Sequence, residues 1–155
     1  MGLGLKTLAV ISATAFIAPA AFAASNGGTG DANGGDATKG AKVFKSCAAC
    51  HKVGDGAKNA AGPMLNNLIG RTAGSVEGYR YSKSLVAAGE AGLVWDEASI
   101  AAFIENPRDF LREYLDDSKA KSKMSKKVKK EADRVNVAAY LATFSEAPEE
   151  AAPSE

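Results

Sequence analysis

Cysteine, histidine and tryptophan are scarce in this chain of 155 residues: two Cys, one His and one Trp. Two thiols exclude a disulfide-rich scaffold. Three Cys and His residues together cannot supply a four-ligand zinc site of that kind. No stretch shows the strict apolar–polar alternation of a half-buried strand. After residue 18 no apolar run is long enough to span a bilayer. The formal net charge is only +1, which argues against a wholesale nucleic-acid binder. What remains is length for one domain, with 46% hydrophobic and 24% charged residues, a globular composition.

The two ends differ from the middle. A basic n-region ending at Lys6 precedes an apolar run over 7–18, then Pro19 and the A-x-A site Ala21-Phe22-Ala23. This pattern predicts a signal peptide over 1–23, cleaved near Ala23, and export to the periplasm. The alternative is a retained membrane anchor. Residues 24–35 hold five glycines and almost nothing apolar, and read as a flexible leader. Residues 146–155 carry four Glu and two Pro and read as an acidic disordered tail. The folded domain is therefore expected over 36–145. That span holds 18 Lys and Arg against 13 Asp and Glu, a net of +5.

Inside it the periodicity is helical. Asp36 can cap a helix from Ala37, with Gly40, Val43, Phe44 and Cys47 on one stripe. Gly40 weakens that helix unless another helix crosses closely there. Residues 52–63 read as a loop and 65–69 as a short helical turn stopped by Gly70. A short helix is expected over 82–88, ending at Gly89. Asp96 caps a helix over 97–105 with Ile100, Phe103 and Ile104 inward, and Asn106-Pro107 ends it. Further helices are expected over 108–115 and 131–144, the last with Val137, Tyr140, Leu141 and Phe144 on one face. Residues 116–127 are almost devoid of apolar side chains and must lie on the surface. The helices are short and the loops long. So few large apolar residues leave a core that needs an added component.

Cys47-Ala48-Ala49-Cys50-His51 supplies the reason. C-x-x-C-H is the signature of c-type haem attachment. Two thiols three residues apart on one helical turn can add to the two vinyl groups of one haem. The adjacent His then reaches the iron from the same side. A thioredoxin-like C-x-x-C would need a βαβ context, which is absent. A lone disulfide would be strained and would leave His51 unexplained. Attachment of one haem c, through Cys47 and Cys50 with His51 on the iron, is the expected cofactor chemistry.

A second axial ligand in such sites is His or Met, and Met raises the potential. No second His exists, and apart from Met1 the methionines are Met64 and Met124. Met124 lies in a run too polar to bury a methionine as core, which favours it as the ligand. Met64, directly after Gly62-Pro63, and an exposed Met124 with no role are the other readings.

These residues resemble a known family, the class I c-type cytochromes, and closely the bacterial cytochrome c2 branch with its Paracoccus-type relatives. The resemblance covers most of 36–144. It rests on Gly40, Phe44, Cys47-Ala-Ala-Cys50-His51, Gly62-Pro63-Met-Leu65, Gly70-Arg71-Thr-Ala-Gly74, Tyr79-Arg-Tyr81, Gly92-Leu-Val-Trp95, Asn106-Pro107, Lys121-Ser-Lys-Met124 and Asn136-Val-Ala-Ala-Tyr140-Leu141. It implies an all-α cytochrome c fold, with short helices and loops wrapped around one covalent haem. It implies that the Pro63 carbonyl accepts from the His51 ring, that Tyr81 and Trp95 bind a buried haem propionate, and that Arg71 offsets its charge. Met124 matches the family's axial methionine. The first helix would cross the last at Val137 and Tyr140. The sequence departs at Met64, where relatives commonly carry a polar or aromatic residue, and the loop after His51 is shorter than in many of them.

Seven lysines, at 119, 121, 123, 126, 127, 129 and 130, bracket Met124. They are either a solvated face or a docking surface for an acidic partner. The reading that follows is a soluble, monomeric periplasmic electron carrier, not an enzyme, with no nucleic-acid partner and no stable membrane insertion. By resemblance its partners are membrane redox complexes: the cytochrome bc1 complex on one side, a photosynthetic reaction centre or terminal oxidase on the other. A membrane-tethered carrier and a haem enzyme or sensor with an open iron site are the alternatives.

Overall fold

The computed structural model describes residues 34–145. The expected signal peptide over 1–23, most of the leader over 24–35 and the tail over 146–155 lie outside them. Five helices follow in order: α1 Ala37–Phe44, α2 Lys83–Glu90, α3 Glu97–Glu105, α4 Pro107–Tyr114 and α5 Glu131–Ala142. No strand occurs among the described residues; an isolated antiparallel bridge joins Thr72 and Val94. The all-α expectation holds.

Three helix starts follow the capping chemistry. Asp36 accepts from Lys39 N at 2.9 Å to begin α1. Ser82 accepts from Leu85 N at 3.2 Å to begin α2. Asp96 and Ser99 form a reciprocal box at α3, with bonds of 2.7 and 2.9 Å. At α4 Pro107 takes the first helical position, where its missing N–H costs nothing.

The first and last helices cross, and Gly40 is where they touch. A Cβ built there would stand 1.9 Å from the Asn136 carbonyl oxygen and 2.7 Å from Tyr140 Cβ. Only glycine permits that approach, so its cost to α1 is offset by the crossing. At Gly40 the nearest contacts are Asn136 and Tyr140, while Phe44 of the same stripe shares a buried cluster with Val137. Asp36 N also donates to Asn136 Oδ1 at 2.8 Å, and Phe44 packs on Tyr140 with ring centroids 5.3 Å apart. Helix α3 lies against the other side of α5. There Ile100, Phe103 and Ile104 join Val137, Ala138 and Leu141 in one apolar cluster.

Two elements differ from expectation for tertiary reasons. Residues 65–69 form turns and no helix. The Asn66 side chain is bonded to Gly54, accepting from its N–H at 2.8 Å and donating to its carbonyl at 2.9 Å. Asn67 takes a left-handed φ of 52°. Helix α2 does not stop at Gly89 but runs through it. A Cβ at Gly89 would lie 2.0 Å from the Ala73 carbonyl oxygen, so this glycine serves close approach, and the chain turns at Gly92 with φ of 98°. Smaller differences are an α4 that opens on Pro107 and an α5 that ends at Ala142.

Residues 121–127 carry no helix and none is buried. They hang between two buried anchors, Ala120 at 1% and Val128 at 6% exposure. Arg112 Nε donates to the Ala120 carbonyl at 3.4 Å and Val128 N to the Ile104 carbonyl at 2.8 Å. Arg134, nearly buried and paired with Glu105 at 3.2 Å, donates to the Lys129 carbonyl at 2.8 Å.

Candidate haem site

After Phe44 the chain continues in hydrogen-bonded turns. Cys47 N and Ala48 N reach the Phe44 carbonyl, and Cys50 N and His51 N reach the Cys47 carbonyl, at 2.7–3.0 Å. These bonds bring Cys47, Cys50 and His51 to one wall of a cavity of about 310 Å³. Pro63, Arg71, Tyr81, Trp95 and Met124 line the same cavity, so all eight expected site residues meet there. Met64 is not on its wall. Its backbone N donates to Asn59 Oδ1 at 3.0 Å and its carbonyl accepts from the Arg71 guanidinium at 3.3 Å.

His51 is held from two sides. Its Nδ1 lies 2.8 Å from the Pro63 carbonyl. A carbonyl only accepts, so Nδ1 carries the proton and Nε2 keeps its lone pair. Burial lowers the imidazole pKa from its usual value, while the bond to Pro63 pulls the other way. Burial thus favours the neutral, ligating form. Beneath the ring lies Gly62. A Cβ there would sit 2.4, 2.7 and 2.9 Å from Cε1, Nδ1 and Nε2 of His51. The 59–63 loop is stapled in turn: Gly62 N to the Cys50 carbonyl at 2.8 Å, Tyr79 Oη to the Ala61 carbonyl at 2.9 Å, and Asn59 Nδ2 to the Glu77 carbonyl at 3.0 Å.

A polar corner stands among apolar walls. Trp95 N donates to the Arg71 carbonyl at 2.9 Å and Gly70 N to the Trp95 carbonyl at 2.8 Å, which fixes Trp95 beside Arg71. The Arg71 guanidinium donates to the Asn66 carbonyl at 2.9 Å. Burial lowers its pKa and raises that of Tyr81, and each opposes the other's shift. The other walls are apolar, with Leu68, Ile100, Phe103, Val137 and Leu141 among them. Met124 is half-buried against this cluster.

The cavity wall is mostly apolar, as suits an apolar body, and its donor set suits one ring system: two thiols and an imidazole on the attachment side, and cationic and phenolic donors for anionic substituents. The residues fit a haem. The parts played by Gly62 and Asn59, the bond from Lys121 N to Ser84 Oγ at 2.9 Å and the bond from the Lys123 ammonium to the Arg80 carbonyl were not visible in the sequence. The one signal was a glycine before Pro63, and that pattern marks turns in general.

The cytochrome c family model matches residues 37–145. Cytochrome c2 iso-1 of Rhodospirillum centenum is 45% identical over 117 residues, which span 72% of this chain and 98% of that protein. Cytochrome c-551 of Roseobacter denitrificans is 42% identical over 146 residues, 90% of this chain and 96% of that one. Among solved structures, cytochrome c2 of Rhodospirillum centenum superposes with a TM-score of 0.70 at 45% identity, covering 72% of this chain and all of the other. That of Paracoccus denitrificans gives 0.66 at 35% identity, covering 72% and 97%. With the attachment motif opening on a cavity of this character, the chain belongs to the cytochrome c family, on its class I c2 branch, and is an electron carrier with one covalently bound haem c rather than an enzyme.

Proposed function

We propose that this protein works in the periplasm as a monomeric carrier of single electrons between membrane redox complexes, with His51 and Met124 as axial ligands. Bound haem supplies a one-electron Fe(III)/Fe(II) couple. The observation that carries the ligand pair is the placement of Met124 and His51 on the walls of one cavity, with Met64 outside it. Cys47 and Cys50 would hold the group through two thioethers. His51 presents Nε2 toward it, and the Pro63 carbonyl fixes the ring and raises its basicity. Met124 would supply the second iron ligand, which would bar substrates from the iron and raise the potential. Arg71, Tyr81 and Trp95 would take a propionate in the polar corner.

The seven lysines between Lys119 and Lys130 are all exposed, and Lys123 and Lys126 stand at the cavity's edge. This supports docking of an acidic partner surface at the haem edge, in a complex that is small and short-lived. The resemblance points to a bc1-type complex as donor and to a reaction centre or terminal oxidase as acceptor. Among the described residues no helix is long and apolar enough to cross a membrane.

The test is the absorption spectrum of the purified holoprotein, oxidised and reduced. A low-spin spectrum with the weak sulfur-to-iron charge-transfer band is expected. A low-spin spectrum without the band removes Met124 from the iron, and a high-spin spectrum turns the reading toward an enzyme or sensor. Gel filtration checks the monomer, and N-terminal sequencing of the secreted protein, expected to start near Ala24, checks export with cleavage.

A further inference from the structure

The positive charge of the domain is concentrated in one stretch. Of the 18 Lys and Arg in 36–145, seven fall between Lys119 and Lys130, a stretch with no Asp or Glu. The other 11 are outweighed by 13 Asp and Glu, so the rest of the domain is net negative. All seven lysines are exposed. Among the described residues none of them pairs with a carboxylate; the ion pairs there use Lys39, Arg108, Arg112 and Arg134. The bond from Lys123 to the Arg80 carbonyl neutralises no charge.

The chain carries a matching anion beyond residue 145, where the family match also ends. Residues 146–155 hold Glu146, Glu149, Glu150 and Glu155 and no basic residue. The point where this segment leaves the domain is fixed. Asn67 N donates to the Phe144 carbonyl at 2.8 Å, and Ile69 N donates to Ser145 Oγ at 3.0 Å. Lys130 stands at the start of α5 and Thr143 at its end. Twelve helical residues set those ends about 18 Å apart. Glu150, five residues past Ser145, reaches up to roughly 17 Å, and Glu155 about twice as far.

We propose that residues 146–155 return along α5 and lay Glu149, Glu150 and Glu155 on the Lys119–Lys130 face, so that the chain covers its own docking surface. The inference rests on that face being where an acidic partner docks. Tethering gives the segment an effective concentration in the mM range. Each exposed pair is nevertheless weak and screened by salt. An acidic partner therefore displaces the segment instead of being shut out by it. The contact slows encounter at low ionic strength and leaves it unchanged at high salt.

The test uses the holoprotein with residues 146–155 intact. A water-soluble carbodiimide joins carboxylates to amines that touch, and the monomer fraction is mapped by peptide mass. At low ionic strength Glu149, Glu150 or Glu155 is expected linked to lysines of 119–130, and the links are lost at high salt. No link, or links only to Lys52 or Lys58, overturns the proposal. The second readout is the rate of reduction of the ferric protein by hexacyanoferrate(II), an anionic one-electron donor. Glu149→Gln with Glu150→Gln is expected to raise that rate about threefold at low ionic strength and not at high salt. Glu146→Gln is the control: it removes a charge that lies too near Ser145 to reach the lysines, and leaves the rate as it was. If each Glu counts equally, net charge alone is at work and the contact is overturned. If Lys126→Gln with Lys127→Gln slows the reaction while the Glu149 and Glu150 pair does nothing, the docking face stands without its cover. If the lysine substitutions change nothing, the docking face and the inference fall together.

Discussion

On the His51 side of the cavity the contacts that hold the ligand itself are short in sequence and fall on backbone. The C-x-x-C-H turns run directly out of α1, the ring bonds a carbonyl twelve residues on, and a glycine lies flat beneath it. On the Met124 side the chain is polar and irregular, anchored at Ala120 and Val128 and crossed by side-chain bonds. One wall is built in; the other is hung in place. The difference teaches that two axial positions of one site can have unequal mechanical backing. An electron carrier needs both positions filled, and the cost of losing each differs accordingly.

The largest expected effect comes from breaking the built-in wall. His51→Ala removes the ligand, the Pro63 bond and the packing on Gly62 at once, and is expected to abolish stable holoprotein, read as loss of haem-stained protein on purification. Gly62→Ala tests the same wall from behind. Its φ allows alanine, but the methyl group meets the imidazole face, so the ring must turn. Overpacking of this kind costs about 1–3 kcal/mol. The expected result is a lower unfolding midpoint together with a shifted potential and altered paramagnetic shifts of the haem methyl resonances. A loss of stability with unchanged shifts would mean that the ring did not move.

Met124→Ala breaks the hung wall and is expected to be milder. Haem stays attached, the potential falls, and the iron accepts imidazole readily, all visible by potentiometry and titration. Smaller again is Lys126→Gln with Lys127→Gln. These are chosen over Lys123, whose ammonium donates to the Arg80 carbonyl. Neutralising both should slow reaction with an acidic partner several-fold at low ionic strength and flatten the salt dependence, with little change at high salt. An unchanged rate would refute the docking face.

The smallest effect falls on α3, which serves both walls through Ile100, Phe103 and Ile104. Asp96→Ala is expected to cost about 1 kcal/mol of stability by loss of the cap. Backbone N–H donation from Ser99 lowers the Asp96 pKa below 3.8. Its contribution is therefore full above that value and is lost as pH falls through the depressed folded-state value. Chemical denaturation against pH should show a shallower acid limb in the variant. A parallel loss at all pH values would mean that the carboxylate charge is not what caps the helix.

Local chemistry was readable from the residues. Asp36 and Asp96 announced their helices, the paired cysteines and His51 announced the cofactor, and Gly40 implied a close helix crossing. Resemblance added Pro63, Arg71, Tyr81 and Trp95, which share the cavity wall. What escaped was set by parts of the chain distant in sequence. The 65–69 stretch has the apolar spacing of a helical turn, but Asn66 is claimed by Gly54. Gly89 reads as a helix stop, but it admits the Ala73 carbonyl. Gly62 and Ser84 look like ordinary loop and helix-start residues until their neighbours are in place. Spacing cannot disclose contacts that only tertiary approach creates.

The crossing at Gly40 also ties the two ends of the domain together. Asp36 and Asn136, which it joins, are one hundred residues apart. Helix α1 has eight residues and α5 twelve, too short to persist alone in water. Each helix therefore owes its persistence to packing on the other, and Phe44 of α1 stands on the cavity wall with Val137 and Leu141 of α5. A substitution that parts the two helices would thus disturb the site from behind, although it touches none of the expected ligands.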